Sequence, residues 1–323
     1  MAARVVLLGS DPIALPAFEA VAALPGVEVV QVWSQPDRPS GRGQVVQPNA
    51  VSAWALARGL PLRRPERFDE AEDAALAALG ADLAVVMAYG QLLREPTLAT
   101  PRLGFVNLHG SLLPALRGAT PVEGALALGL AETGVTLQQV VRRLDAGPVL
   151  AARRLPVPPD VAREALRAEM GRVAGALAAE AVPALLAGRL VGVPQDEAAV
   201  THTRRLTRED APLDFSKPAA TLANRVRALE GWPGSTCLLG DLRLKVGRAL
   251  AEPTAAAAPA GTVISAGPEG VRVATGQGVL RLLELQRPGG RMLPAAAFLA
   301  GFRIEPGARF AAETMTELVV AKR

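Results

Sequence analysis

Residues 104–121 read GFVNLHGSLLPALRGATP. An apolar run ends at Gly110-Ser111, and prolines follow at 114 and 121. A short apolar run closed by glycine reads as a buried strand, and the proline-bearing stretch after it as a rigid, exposed loop. The same strand texture recurs upstream at 4–8 (RVVLL, ending at Gly9), 27–33 (VEVVQVW) and 82–87 (DLAVVM). Helical stretches fall at 14–24, closed by Pro25-Gly26, and near 70–79 and 91–98. Apolar strands alternating with helices predict an α/β fold, a Rossmann-like, mostly parallel sheet covered on both faces. In such sheets ligands bind beyond the carboxyl ends of the strands. Asn107 and His109 stand at one such end.

The texture changes in the second half. Residues 160–188 are alanine-rich and helical, and 188–203 carry turn residues with weak periodicity. A helix is predicted over 216–230, then short strands at 235–239, 242–246, 261–264, 271–274 and 279–285. About five short strands punctuated by Gly, Pro and Asp predict a small OB-like β-barrel. The low-complexity stretch 251–259 reads as a mobile loop. The expected organisation is a Rossmann-like domain over 1–188, a linker over 189–206 and an OB-like domain over 207–323.

Composition narrows the function. No apolar run reaches the roughly 18 residues that a membrane span needs, and the N-terminus lacks a signal-peptide layout, so a cytoplasmic location and no membrane partner are expected. Cys237 is the only cysteine and His109 and His202 the only histidines, which excludes an internal disulfide and disfavours a metal site built of Cys and His. His202 and Cys237 read as ordinary linker and barrel residues. There is no G-x-G-x-x-G and no Walker A motif, so neither NAD nor ATP is expected. Residues 1–200 hold 18 basic and 20 acidic side chains, whereas 201–323 hold 17 and 11. A basic second half suits a polyanion such as nucleic acid. The chain prefers Arg strongly, with only three lysines, but that preference does not explain the asymmetry between halves.

Asn107 and His109 are two apart, so on a strand they point to the same side. An amide donor and an imidazole placed together suit addition to a carbonyl: histidine manages the proton and asparagine holds the developing oxyanion. Spacing alone favours a strand-end histidine that caps a turn; what shifts the reading is that His109 is one of two histidines and lies at the sheet's ligand-binding edge. Asp145 lies in 142–149 (RRLDAGPV), a tight loop after a strand predicted over 135–141. A carboxylate beside His109 would orient the ring and favour the imidazolium, yet a turn aspartate that bonds its own backbone is just as compatible with these residues.

Four segments carry a resemblance: 107–114 (NLHGSLLP), Arg117-Gly118-Ala119 with Pro121, 133–136 (TGVT) and 144–147 (LDAG). In order and spacing they resemble the 10-formyltetrahydrofolate-dependent formyltransferase family. The resemblance implies that Asn107, His109 and Asp145 form the active site. It places Ser111, Leu112, Leu113 and Pro114 in the folate site, with 10-formyltetrahydrofolate as co-substrate and no metal. Val86 followed by Met87, Ala88, Tyr89 and Gly90 resembles that family's VAYG turn and implies that the backbone of Met87, Ala88, Tyr89 and Gly90 borders the same site.

Within the family, three features are similar to the members that formylate initiator methionyl-tRNA. Residues 35–43 (QPDRPSGRG) resemble their inserted loop, with Arg38 and Arg42 as tRNA contacts. The chain continues about 120 residues past the first domain. Arg225-Val226-Arg227-Ala228 and Gly231-Trp232-Pro233-Gly234 resemble their C-terminal helix and the turn after it, which implies a tRNA-binding second domain. A monomer is expected. The chain departs from the family where Gly-Thr-Pro becomes Gly9-Ser10-Asp11-Pro12, where Gln44-Val45-Val46 replaces lysines, and where Asp-Thr-Gly-Asp becomes Asp145-Ala146-Gly147-Pro148. The last change puts the local form of the Asp145 loop in question. A formyltransferase for sugar nucleotides or other amines, and a non-catalytic RNA-binding homologue, remain as alternatives.

Overall fold

The computed structural model describes residues 1–321 apart from Gly41, Arg42, Gln44 and Ala256, with Ser40 described by its backbone alone. In chain order the first half contains β1 (Ala3–Gly9), α1 (Leu15–Ala22), β2 (Val27–Trp33), β3 (Arg38–Ser40), β4 (Val45–Gln47), α2 (Ala50–Ala57), β5 (Leu62–Arg63), α3 (Glu70–Ala78), β6 (Leu83–Met87), α4 (Glu95–Leu98), β7 (Phe105–His109), β8 (Arg117–Gly118), α5 (Pro121–Ala127), β9 (Glu132–Gln139), β10 (Val149–Pro156) and α6 (Arg163–Leu186). Seven of these strands form one sheet in the order β10-β9-β7-β6-β1-β2-β5. The run from β7 to β5 is parallel, whereas β9 and β10 add antiparallel at one edge.

Alternation along β1 explains the two covered faces. Val5 and Leu7 point into a core with Phe18 of α1, Trp54 of α2 and Met170 of α6. Val6 and Leu8 point the other way, into a core with Trp33, Phe68, Leu76 of α3 and Phe105. All four are fully buried, which is why the strand shows as an unbroken apolar run. The helix expected over 91–98 is shorter. The Gln91 side chain accepts from Phe68 N at 2.7 Å and donates to Pro65 O at 3.0 Å, and α4 starts only at Glu95, with Pro96 in its first turn. Proline suits that position.

After α6 come β11 (Thr201–Thr203), α7 (Ala219–Ala228), β12 (Ser235–Leu239), β13 (Leu242–Glu252), β14 (Val263–Gly267), β15 (Gly270–Ala274), β16 (Val279–Gln286), β17 (Leu293–Pro294), α8 (Ala295–Gly301) and β18 (Val319–Ala321). Strands β12-β13-β16-β15-β14 form an antiparallel sheet in that order, with β17 also on β16. β13 is longer than expected and takes in Ala251 and Glu252, the start of the predicted loop. Leu222 and Val226 of α7, Phe298 of α8 and the stacked pair Phe215–Phe310 (5.2 Å) fill the core of this half. Cys237 is part of it, and burial pushes its thiol above the ordinary range. The segment after α8 bonds both outer strands: Ala311 N donates to Leu238 O and Val263 N to Ala308 O, each at 2.8 Å.

Contacts between residues 161–163, at the start of α6, and the 227–232 stretch join the halves, and a second network ties residues 204–210 to α7 and the C-terminal segment. Arg163 of α6 donates to Trp232 O at 2.7 Å, and Arg227 of α7 donates to Val161 O at 3.1 Å. Asp210 is fully buried and takes Arg204 at 2.5 Å and Thr207 N at 2.6 Å, with Arg225 at 3.7 Å. Burial alone would raise its carboxyl, but Arg204, Thr316 and Thr207 outweigh that and hold it well below the usual carboxylate range. Burial pushes the Arg225 guanidinium down to about 10 despite Asp210. Among the described residues no helix is long and apolar enough to cross a membrane.

Candidate active site

Strands β1, β6 and β7 end side by side, Gly9 opposite Met87 and Val86 opposite Asn107. Their carboxyl ends bring the 87–90 turn and the 107–114 segment to one edge. Asn107 and His109 share one face of β7, as their spacing predicts, and pair across to Gln138 and Thr136 of β9. Asp145 enters from the β9–β10 loop. Its backbone is left-handed, φ 49°, a conformation that aspartate tolerates better than most residues.

The Asp145 carboxylate is about nine-tenths buried and faces four donors. Gly118 N donates to Oδ2 at 2.8 Å and Gln138 Nε2 to Oδ1 at 3.0 Å. Asn107 Nδ2 is 3.4 Å from Oδ1, and His109 Nδ1 is 3.6 Å from Oδ2. The other ring nitrogen, Nε2, lies 2.9 Å from the Leu116 carbonyl. Both nitrogens of His109 therefore face acceptors, an arrangement matched by the doubly protonated ring. The 3.6 Å gap is too long for a direct hydrogen bond.

A second layer, absent from the sequence reading, holds this arrangement. Gln195 donates through Nε2 to Asp145 O at 2.9 Å and to Gly147 O at 2.7 Å. Its Oε1 accepts two bonds from buried Arg117, at 3.0 and 2.8 Å. In the altered stretch 146–148 the retained Gly147 sits where a Cβ would run into the Gln139 carbonyl, and Pro148 O accepts from Gln139 N at 3.0 Å. Strand β11, within the stretch expected as a linker, pairs with β8 and with β18. Thr201 Oγ1 accepts from Leu116 N at 2.8 Å and Thr203 Oγ1 from Thr120 N at 3.1 Å. His202 is a strand residue opposite Arg117.

The loop of Ser111, Leu112, Leu113 and Pro114 is tied to β9. Thr136 Oγ1 donates to Ser111 O at 2.7 Å and accepts from Leu113 N at 3.1 Å, while Ser111 Oγ donates to Ala115 O at 2.6 Å. Leu112, Leu113 and Pro114 are half-buried. In the neighbouring turn, Met87 and Tyr89 point into the core, so the backbone of Met87, Ala88, Tyr89 and Gly90 lines the edge beside the exposed Ala88 methyl. Burial pushes the Tyr89 phenol above its ordinary range. Ala88 and Gly90 take positive φ, 49° and 84°. Tyr89 O accepts from Gln35 Nε2 at 3.0 Å, and Arg205 donates to Gly90 O at 3.3 Å. Arg38 lies on β3 of a hairpin with β4, exposed and paired with Glu66 at 2.5 Å; Arg42 lies outside the described residues. Among the described residues no three His, Cys, Asp or Glu side chains gather as a metal site.

Gln138 was legible in principle, since it shares a face of β9 with Thr136. Gln195 was not: it acts across 50 residues of chain and carries no periodic signal.

An amide, an imidazole and a buried carboxylate at the ligand-binding edge of a parallel sheet are the equipment of a carbonyl group-transfer enzyme. Residues 14–182 match the formyl transferase family and residues 205–303 its C-terminal domain; the chain belongs to the formyl transferase family. It is 41% identical over 312 residues to the methionyl-tRNA formyltransferase of Roseiflexus sp. (strain RS-1), covering 96% of this chain and 95% of that one. It is 42% identical over 310 residues to the methionyl-tRNA formyltransferase of Halorhodospira halophila (strain DSM 244 / SL1), covering 95% and 99%. Two solved structures share the fold. One is the N-formyltransferase from Helicobacter canadensis in complex with folinic acid and dTDP-3-aminofucose (TM-score 0.66, 12% identity, 87% of this chain and 99% of that one). The other is HypX from Aquifex aeolicus in complex with tetrahydrofolic acid (TM-score 0.60, 16% identity, 94% and 48%).

Proposed function

We propose that this chain transfers the formyl group of 10-formyltetrahydrofolate to the α-amino group of methionine on initiator methionyl-tRNA, giving N-formylmethionyl-tRNA. The observation that carries the chemistry is the meeting of Asn107, His109 and Asp145 at the end of β7. The choice of substrate rests on near-full-length similarity to enzymes of that name and on the QPDRPSGRG loop.

The amine attacks as the free base; an unperturbed α-amine, pKa about 7.7–8.0, keeps a usable neutral fraction near pH 7. Attack on the formyl carbon places charge on oxygen. Asn107 Nδ2 and the protonated His109 ring stabilise that oxygen, each turning from its contact in the free site. One such donor is typically worth about 100- to 1000-fold in rate. Asp145 orients His109 and, with ordered water, relays the proton from the attacking amine to the leaving folate nitrogen. The half-buried Leu112, Leu113 and Pro114, beside the backbone polar groups of the 87–90 turn, suit a flat heteroaromatic ring with amide-like edges. As proposed, the transfer draws on the folate co-substrate and the methionyl-tRNA amine.

The same reading divides the chain into a catalytic domain over 1–188, a connecting stretch over 189–206 and a tRNA-binding domain over 207–323. It closes the second domain into an OB-like barrel, since 307–311 bonds both outer strands. Arg38 and Arg42 would grip the acceptor end, Arg38 by exchanging Glu66 for phosphate. The chain would work as a monomer in the cytoplasm, where charged tRNA is found.

The test is a substrate panel: 10-formyltetrahydrofolate with charged initiator tRNA, glycinamide ribonucleotide or an amino sugar nucleotide. Transfer to the tRNA alone is expected. Preferential transfer to the sugar nucleotide would overturn the substrate assignment, and transfer to none would leave a binding protein.

A further inference from the structure

A cleft of about 470 Å³ opens on the second half beside the first. Arg208, Pro212, Trp232, Thr236, Arg243 and Lys245 line it, and no carboxylate does. Three observations give it chemistry. Trp232 is 51% exposed, whereas Trp33 is fully buried and Trp54 is 9% exposed; among the described residues no ring or guanidinium stacks on Trp232. Its backbone is nevertheless fixed, Trp232 O accepting from Arg163 at 2.7 Å and Trp232 N donating to Glu230 O at 3.0 Å. Around it, Arg208 and Lys245 are exposed and have no ion-pair partner among the described residues, while Arg243 is held by Glu313 at 2.7 Å and Thr236 at 3.1 Å.

An open indole on a fixed backbone, sharing its cleft with two cations that have no ion-pair partner among the described residues, matches one ligand class. A flat base stacks on the indole, and the phosphates flanking it meet the cations. A paired nucleotide does not fit, because its faces are covered by its neighbours. The cleft is also tied to the active site. Arg205, three residues before Arg208, bonds Gly90 O at 3.3 Å. Arg163, which holds Trp232, approaches buried Glu123 of α5 at 3.9 Å, two residues after Pro121.

We propose that the Trp232 cleft is a stacking subsite for an unpaired nucleotide of the RNA substrate, with Arg208 and Lys245 on the adjoining phosphates. This rests on the tRNA reading above and adds a position to it. Stacking on one aromatic side chain contributes about 1–3 kcal/mol by alanine substitution, which is about 5- to 150-fold in affinity.

Trp232 is far more exposed than Trp33 and Trp54, so the full chain reports on its own cleft. Its fluorescence is followed while a single-stranded CCA-ended oligoribonucleotide, a blunt RNA duplex with the same number of phosphates, or inorganic polyphosphate is added. The single strand should quench emission, the other two should do so far less, and Trp232→Phe should abolish the response. Trp232→Ala should weaken binding of initiator tRNA about 5- to 150-fold, with a rise in KM exceeding any fall in kcat. Equal quenching by duplex or polyphosphate would overturn the subsite in favour of a general anion patch, as would unchanged tRNA affinity in Trp232→Ala. Formyl transfer to methionyl-tRNA without quenching would overturn the subsite alone. Quenching by the single strand in a chain that formylates no tRNA would overturn the substrate reading and keep the subsite.

Discussion

Asp145 sits in a left-handed turn at φ 49° with its carboxylate facing Gly118, Gln138, Asn107 and His109. The pairing of Asn107 with His109 was legible because strands alternate and the two residues are two apart. The arrival of Asp145, 38 residues beyond Asn107, was not; only family resemblance linked it to them. What holds it there was less visible still. Gln195 bonds the carbonyls of Asp145 and Gly147 while accepting from Arg117, and a glutamine in an irregular stretch gives no sign of that work. Gln195→Ala would free two loop carbonyls and leave the buried Arg117 short of an acceptor. Because Gln195 touches the loop backbone and not the reacting atoms, the expected loss is in kcat, about tenfold or about 1.4 kcal/mol, with KM for folate changing little. Steady-state kinetics checks this, and an unchanged kcat would mean that Gln138 and Gly118 suffice to hold Asp145.

Among the elements, the parallel strands of the first half were legible because both faces are buried and the runs are continuously apolar. The antiparallel edge was harder. β10 runs three half-buried residues and then three exposed ones, Ala152, Arg153 and Arg154, so without alternation it gives no clean strand signal. β11 is the consequential case. Three residues in a turn-rich stretch form a strand because partners from β8 and β18 bracket them. Gly118 approaches so closely, at φ 112°, that a Cβ there would run into the Thr203 carbonyl. The buried Thr203 hydroxyl accepts from Thr120 N and donates to Arg117 O at 3.2 Å. Thr203→Val keeps the shape and removes both bonds. It should destabilise the fold by about 1–3 kcal/mol, seen as a lower urea midpoint at unchanged slope. An unaltered midpoint would show that β11 is not structural support for the loop.

At the scale of the whole molecule, the stretch leading out of β11 is locked to α7 and the C-terminal segment by groups that mean little in isolation. Asp210 is the main one: its folded pKa lies below the unfolded value near 3.8 because Arg204, Thr316 and Thr207 together outweigh burial. A carboxylate shifted in that direction gives its full stabilisation above the unfolded value and loses it as pH falls toward the folded one. Urea midpoints should therefore hold between pH 7 and 5 as far as this group is concerned and drop below about pH 4. Asp210→Asn should start lower at pH 7 and lose less on acidification; parallel curves for the two proteins would remove Asp210 from the account. The charge asymmetry seen in the sequence belongs to this scale too: in the proposed function it separates grip from chemistry, with RNA held by the basic half and the loop of Arg38 and Arg42 and reacting at the end of β7. That separation has one direct test, single-turnover formyl transfer measured beside tRNA affinity for wild type, His109→Ala and Asp145→Ala. Both variants should lose about 100- to 1000-fold in rate while binding tRNA as wild type does. Near-normal transfer in either variant, or losses of rate and affinity in equal measure, would contradict the assignment.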